Sequence, residues 1–434
     1  MRHFLAIDLG ASSGRHVIGY KRNGNISLKE IYRFPTGMDD TLDGKTWNLE
    51  RIFNEIKRGI KIAFECQPDI TSISIDTWGV DYVLMDNDKE IKPFYAYRNE
   101  RCIKAAEEVH KIIPFEKLYQ TTGIQFASFN TIYQLYDDLK KGRLDNATDY
   151  LMIPSYFTYK LTGIKSHEYT NETTGALIDV LTNNYAYDLI DKLGLPRKLF
   201  NEILYPTKVI GPLKEDIAKE VGGNANVVLC ASHDTASAFE SVDVDDDTVI
   251  ISSGTWSLLG IKSKNPIVNE ASFNANYTNE GGVGYFRFLK NIMGMWIANQ
   301  LLKTKAITFS FLDRTLPLCE YREIFDVNDP SLVAPENMEK AIKELLKHNP
   351  PKTDIELFCS LYRSLAFCYK NCIEELEKIT NKTYNKICVV GGGAKNRFLN
   401  SMIKEYTKKE VIPMPIEATC LGNIKIQRKV GKTK

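Results

Sequence analysis

The chain opens on an apolar run, Phe4–Ile7, that stops at Asp8; small polar residues follow before apolar character returns at Val17–Tyr20. That pattern predicts strand, turn and strand over Phe4–Asp8, Leu9–Gly14 and Arg15–Tyr20, with a third strand over Ile26–Phe34. The period then changes. Leu49, Ile52, Phe53, Ile56, Ile60, Ala63 and Phe64 recur every three or four positions, one face of a helix over Leu49–Cys66. Ile73–Asp76 and Tyr82–Met85 predict short strands around a Thr77-Trp78-Gly79 turn. Residues 100–165 are mostly helical in pattern, including Thr131–Lys141, which Gly142 terminates, and Val227–Ala231 predicts a buried strand.

Asp243, Asp245, Asp246 and Asp247 interrupt the apolar pattern within Val242–Thr248. A domain boundary is expected there, with domains over 1–244 and 245–434. A second strand-turn-strand follows, Val249–Ser252, Ser253–Thr255 and Trp256–Ile261. Helices are predicted over Leu289–Lys303, Met338–Lys347 and Ile355–Ile379. Ile387–Val390 predicts a strand entering Gly391-Gly392-Gly393, with a helix from about Asn396. The two hairpins, each opening one half of the chain, read as an internal repeat.

Among 434 residues, 43% are hydrophobic and 26% charged, which suits a folded soluble chain of two or three domains. Lys plus Arg is 56 and Asp plus Glu is 55, a net charge of +1, so nucleic acid and anionic membrane are not expected as partners. No apolar run has the length of a membrane span or a signal sequence, so a cytoplasmic location is expected. The nine cysteines form no CxxC and the six histidines no HExxH; Cys368 and Cys372 share a helix face, but the expectation is buried free thiols.

Glycine and hydroxyl residues in a tight turn bring N–H and O–H donors to an anion, so both hairpins and the Val390–Gly393 loop are candidate phosphate sites. Asp8 can hold a hard cation directly or through water, and Arg15 can neutralise phosphate. Asp234 in Ser232-His233-Asp234-Thr235 follows a buried strand, where a carboxylate can take the proton of a substrate hydroxyl. Asp76-Thr77-Trp78-Gly79-Val80-Asp81 mixes an aromatic face, a bare glycine and carboxylates, a combination suited to a sugar. Asn291 is expected to open a helix, capping it or facing a ligand. Gly431-Lys432-Thr433 lacks the earlier glycine of a P-loop, and no GxGxxG follows the first strand.

Together AIDLGASSGR (6–15), SIDTWGVDYVLMD (74–86), TGIQFASFNTIYQL (122–135), YTNETT (169–174), ASHDTASA (231–238), SSGTWSLLG (252–260), TNEGG (278–282), LKNIMGMW (289–296) and VGGGAKN (390–396) resemble the FGGY carbohydrate kinases of the actin-like ATPase superfamily. The resemblance runs from residue 4 to about 426. It implies an α/β fold of two ribonuclease H-like domains with an active-site cleft between them. It implies ATP and Mg²⁺, and phosphorylation of L-rhamnulose at O1, with L-fuculose or L-xylulose as alternative ketoses. Ala11, Ser12, Ser13, Gly14, Arg15 and Thr255 would contact ATP phosphates and Gly392 the adenosine. Gly79, His233, Asp234, Thr235 and Asn291 would contact the ketose, with Asp234 the proton acceptor and Asp8 near the metal. A monomer or weak homodimer is implied.

Two departures stand out. Where the family often carries a Gln contacting ATP, this chain has Asn299, with Gln300 beside it. The family pattern also continues beyond a motif like Ile416–Ile424, whereas here Arg428-Lys-Val-Gly-Lys-Thr-Lys ends the sequence. A shortened last helix is the expectation. At ~25 cal/mol per Å² its lost burial weighs against a typical stability of ~5–15 kcal/mol. A ligand-binding remnant without activity is therefore the competing reading.

Overall fold

A computed structural model describes residues 2–333, 335–414 and 417–430. Ile416 and the Gly431-Lys432-Thr433 segment lie outside them. The chain divides into two compact units, and two segments from beyond residue 245 belong to the first. The first unit holds Met1–Val242, Lys262–Phe288 and the described chain from Thr419; the second holds Asp243–Ile261 and Leu289–Ala418.

In the first unit, β1 (His3–Leu9) and β2 (Ser13–Arg22) form the expected hairpin, and β3 (Asn25–Pro35) extends it. The helix α1 (Leu49–Cys66) starts at Asn48, whose side chain accepts from the Arg51 N–H, and it buries its apolar stripe on the sheet. β4 (Ile70–Thr77) pairs parallel with β1, placing Asp8 opposite Asp76. β5 (Val209–Pro212) and β6 (Asn226–Val228) complete the order β5-β6-β4-β1-β2-β3. The strand predicted to Ala231 ends at Val228, and α2 (Asp234–Glu240) begins at the candidate base. The helical stretch expected over 100–165 is interrupted by a strand, Asp149–Met152, paired with Tyr82–Asp86.

The second unit repeats the arrangement. β7 (Thr248–Ser253) and β8 (Trp256–Ser263) form the second hairpin, flanked in space by β9 (Phe286–Met293) on the β8 side. The helix predicted over Leu289–Lys303 is therefore wrong in its first part. β9 turns at Gly294 and only then does α3 (Trp296–Thr304) begin. A short run with Phe288, Leu289, Ile292 and Met293 satisfies either period, and strand pairing decides it. The long helix α4 (Asp354–Thr380) starts at a Thr353–Glu356 capping box. β10 (Lys386–Val390) pairs parallel with β7, α5 (Arg397–Thr407) follows with Asn396 as its cap, and β11 (Glu410–Pro413) lies outside β10.

The last helix, α6 (Ala418–Gln427), rejoins the first unit from Thr419 onward. Cys420, Ile424 and Ile426 are buried. The Gln427 side chain donates to Leu5 O at 3.0 Å and accepts from Ser72 Oγ at 2.6 Å. No helix among the described residues is long and apolar enough to cross a membrane.

Candidate active site

The β1–β2 turn is tight. Gly10 N–H donates to Ser13 O at 3.0 Å, and Thr36 Oγ1 donates to Gly10 O at 2.6 Å. Ser12 is exposed at its tip, Ala11, Ser13 and Arg15 are half-buried, and Gly14 is buried. Arg15 turns onto Asp8. Its Nη2 and Nε lie 2.6 and 2.8 Å from Asp8 Oδ2, so the candidate cation ligand and the candidate phosphate neutraliser hold each other. Across the strand pair, Asp76 is fully buried; its Oδ2 accepts from Asn423 Nδ2 at 2.5 Å, and its Oδ1 has no hydrogen-bond partner. Burial, reinforced by Asp8, pushes the Asp76 pKa well up, although the Asn423 amide opposes this.

Among the described residues no three His, Cys, Asp or Glu side chains gather as a cage. Mg²⁺ typically takes one or two carboxylates and fills its shell with phosphate oxygens and water. Asp8, beside the unpartnered Oδ1 of Asp76, fits that mode. The nine cysteines are free; Cys66 is exposed and Cys319 and Cys368 are half-buried, so burial is not general.

The segment Ser232–Thr235 is pinned from two sides. Thr77 N–H donates to Ser232 O at 2.8 Å. The buried Glu168 accepts from the Ser232 N–H at 3.2 Å and from its hydroxyl. His233 is held against Glu280 and Arg287, with Nε2 3.5 Å from Asp234 Oδ1. Thr235 Oγ1 donates to Asp234 Oδ1 at 3.1 Å. The Asp234 side chain keeps 33% of its surface exposed, the access a substrate hydroxyl needs. Burial raises its pKa, and the Asp8 charge adds to the rise.

Gly79 is half-buried against Thr174, whose Oγ1 accepts from the Val80 N–H at 3.0 Å. The other residues of the Asp76–Asp81 motif are turned inward. Trp78 stacks on Trp47 at 4.0 Å, and Asp81 accepts from both indoles, at 2.7 Å from Trp47 and 3.0 Å from Trp78. Burial pushes the Asp81 pKa up to about 6 against those donors. Trp78 and Asp81 thus build the wall and offer no face to a sugar.

In the second unit, Gly254 N–H donates to Trp256 O at 2.8 Å, and Thr255 is exposed at the turn. Gly391, at φ +81°, packs on the β7–β8 turn; a Cβ there would lie 2.8 Å from Ser253 O. At Gly393 a Cβ would lie 2.1 Å from Ser253 Oγ. Gly392 is exposed in the 3₁₀ turn before α5. Asn291 neither opens nor caps a helix; it sits within β9, and its buried Oδ1 has no partner. Asn299 is exposed on α3, while Gln300 is half-buried and accepts from Lys303 Nζ at 3.4 Å.

Sequence reasoning gave no individual role to Asp76, Asn423, Glu168, Glu280 or Arg287. The one available signal for Arg287 was a charge inside the apolar run Phe286-Arg287-Phe288-Leu289.

Two family models match the chain in succession. Residues 3–239 match the N-terminal domain and residues 249–428 the C-terminal domain of the FGGY family of carbohydrate kinases. The chain is 41% identical to a rhamnulokinase of Halalkalibacterium halodurans, covering 98% of this chain and 93% of that one. It is 40% identical to a rhamnulokinase of Oceanobacillus iheyensis (98% and 92%), and 35% identical to one of Bacillus subtilis (99% and 90%). Solved structures share the fold. A xylulose kinase from Lactobacillus acidophilus superposes with a TM-score of 0.82 at 18% identity, and a gluconate kinase from the same organism with 0.81 at 17%; each covers 99% of this chain and 89% of its own.

Proposed function

Because this chain belongs to the FGGY family of carbohydrate kinases, we propose that it transfers the γ-phosphoryl group of ATP to O1 of L-rhamnulose, giving L-rhamnulose 1-phosphate and ADP. The observation that carries the reaction type is Asp234, a partly exposed carboxylate at the start of α2 whose basicity its surroundings raise. The choice of sugar rests on near-full-length relatives named rhamnulokinase at 35–41% identity.

In this reading Asp234 accepts the O1 proton as O1 attacks the γ-phosphorus. The bond from that phosphorus to the bridging oxygen of the β-phosphate breaks, and ADP leaves. His233, Thr235, Gly79 and Asn291 orient the ketose. The β1–β2 turn, Ala11–Arg15, and Thr255 offer N–H, hydroxyl and guanidinium donors to the phosphates, and Gly392 lets the adenosine lie close to backbone. Asn299 would offer its amide to the nucleotide. Asp8, supported by Asp76, would hold Mg²⁺, which supplies charge neutralisation to the phosphates. Arg15 then exchanges Asp8 for phosphate oxygen as its partner. We propose a cytoplasmic enzyme that works as a monomer or weak homodimer.

A coupled ADP-release assay with L-rhamnulose, L-fuculose and L-xylulose tests the reading. The expected result is the highest kcat/KM with L-rhamnulose. A preference for either other ketose overturns the substrate assignment. Ligand-induced stabilisation without ADP release, with every sugar, overturns the activity.

A further inference from the structure

Arg287 is fully buried, with none of its side chain exposed. An unsatisfied guanidinium there would be very costly, so its partners are informative. Nη1 lies 2.9 Å from Glu280 Oε2, Nε donates to Gly281 O at 2.9 Å, and Nη2 approaches Thr170 O at 3.5 Å. The remaining contact is with His233, where Nη1 lies 3.2 Å from Nδ1 in hydrogen-bond geometry.

That contact constrains the imidazole. A guanidinium only donates and stays charged, so a ring nitrogen that bonds to it presents a lone pair. Glu280 Oε2 competes for the same nitrogen at 3.1 Å and would require an N–H there. Two observations decide between them. Glu280 Oε2 lies at ion-pair distance but makes no hydrogen bond, and Arg287 already balances its charge. Protonating both ring nitrogens would also set a second cation against Arg287. Glu280 itself stays ionised: burial would raise its pKa, but the adjacent Arg287 charge outweighs this and holds it low.

We propose that Arg287 is a positioning residue that acts through His233, fixing it as the neutral tautomer with its proton on Nε2. The proposal rests on the reading of Asp234 and His233 given above. The Nε2–H then points to the Asp234 side of the ring. At 3.5 Å it is too far from Oδ1 for a strong bond and remains available to substrate. Asp234 accepts and His233 donates. That pair complements a primary hydroxyl next to a C2 oxygen that can accept, the arrangement at the reacting end of a 1-hydroxy-2-ketose.

The tautomer can be read directly in the substrate-free wild-type enzyme. Long-range ¹H–¹⁵N correlation on histidine-labelled protein, with His233 assigned from a His233→Gln sample, should show lone-pair-type Nδ1 and N–H-type Nε2. The reverse pattern, which Glu280 would impose, or an imidazolium pattern overturns the proposal. Kinetics of Arg287→Lys give the second arm. Ketose kcat/KM should fall by about 10- to 100-fold, the cost typical of removing a partner that orients a functional histidine, with KM for ATP unchanged. Equal losses for both substrates would mark a merely structural arginine and overturn it. Unaltered ketose KM in His233→Gln would instead fail the sugar-contact reading, leaving the tautomer result to stand by itself.

Discussion

Asp234 carries the first test at the scale of single residues. As the proposed base it would act when deprotonated, and its pKa is raised, so the acid limb of kcat/KM should sit above the ordinary carboxylate range. Asp234→Asn should lower kcat by at least about 10³-fold with an unchanged melting temperature, read in parallel assay and melt. Two buried histidines set opposite pH slopes of stability. His16 is fully buried, and burial lowers its pKa to about 4 despite its bond to Ile56 O. The unfolded chain takes up a proton first, so this contribution is complete above pH ~6.5 and is lost as pH falls towards 4, up to about 3 kcal/mol. His167 behaves in reverse. Burial would lower its pKa, but Asp149 and Glu172, each 3.0 Å away, raise it to about 9. Its contribution is complete below pH ~6.5 and is lost as pH rises through 9. Urea unfolding across pH 4–9 should show a maximum near pH ~6.5, with the alkaline slope flattened in His167→Gln.

At the scale of elements, the hairpins, α1 and the span of α4 were legible because turn chemistry and period lie within a few residues of each other. Leu289–Met293 was not, because a strand and a helix bury that run equally well until β8 supplies the pairing. Asn291 moved with it from helix opener to strand. The Gly391–Gly393 loop was legible as a glycine loop, but not its dependence on Ser253. Gly393→Ala would set a Cβ 2.1 Å from Ser253 Oγ and 2.6 Å from Ser253 Cβ, which deforms the turn proposed to meet the nucleotide. KM for ATP should rise about 10-fold while KM for the ketose stays constant.

At the scale of the whole molecule, the sequence-remote helix α6 braces strands β1 and β4 of the first unit. Asn423 reaches Asp76, Gln427 reaches Leu5 and Ser72, and Ile424 packs where Gly19 leaves space. The backbone of α6 touches α2 so closely that a Cβ on Gly422 would lie 1.7 Å from Ser237 O. Gly422→Ala should therefore cost about 3 kcal/mol or more, and Ile424→Ala, which only leaves a cavity, about 2–4 kcal/mol, both by urea unfolding. Loss of activity in Gly422→Ala should accompany that destabilisation, since α2 carries Asp234.

What the sequence by itself determined were features whose causes are neighbours along the chain: the two glycine-serine hairpins, the helix periods, and the motif set that marks the family. Only the tertiary structure decided which face a side chain turns and which charge it meets. It turned Trp78 and Asp81 into the wall, closed Arg15 onto Asp8, and brought Arg287 to His233 across 54 positions and Gln427 to Ser72 across 355. The reason is physical. Local conformation responds to residues within a turn or two, whereas the cost of burying a charge depends on a partner that chain position does not specify.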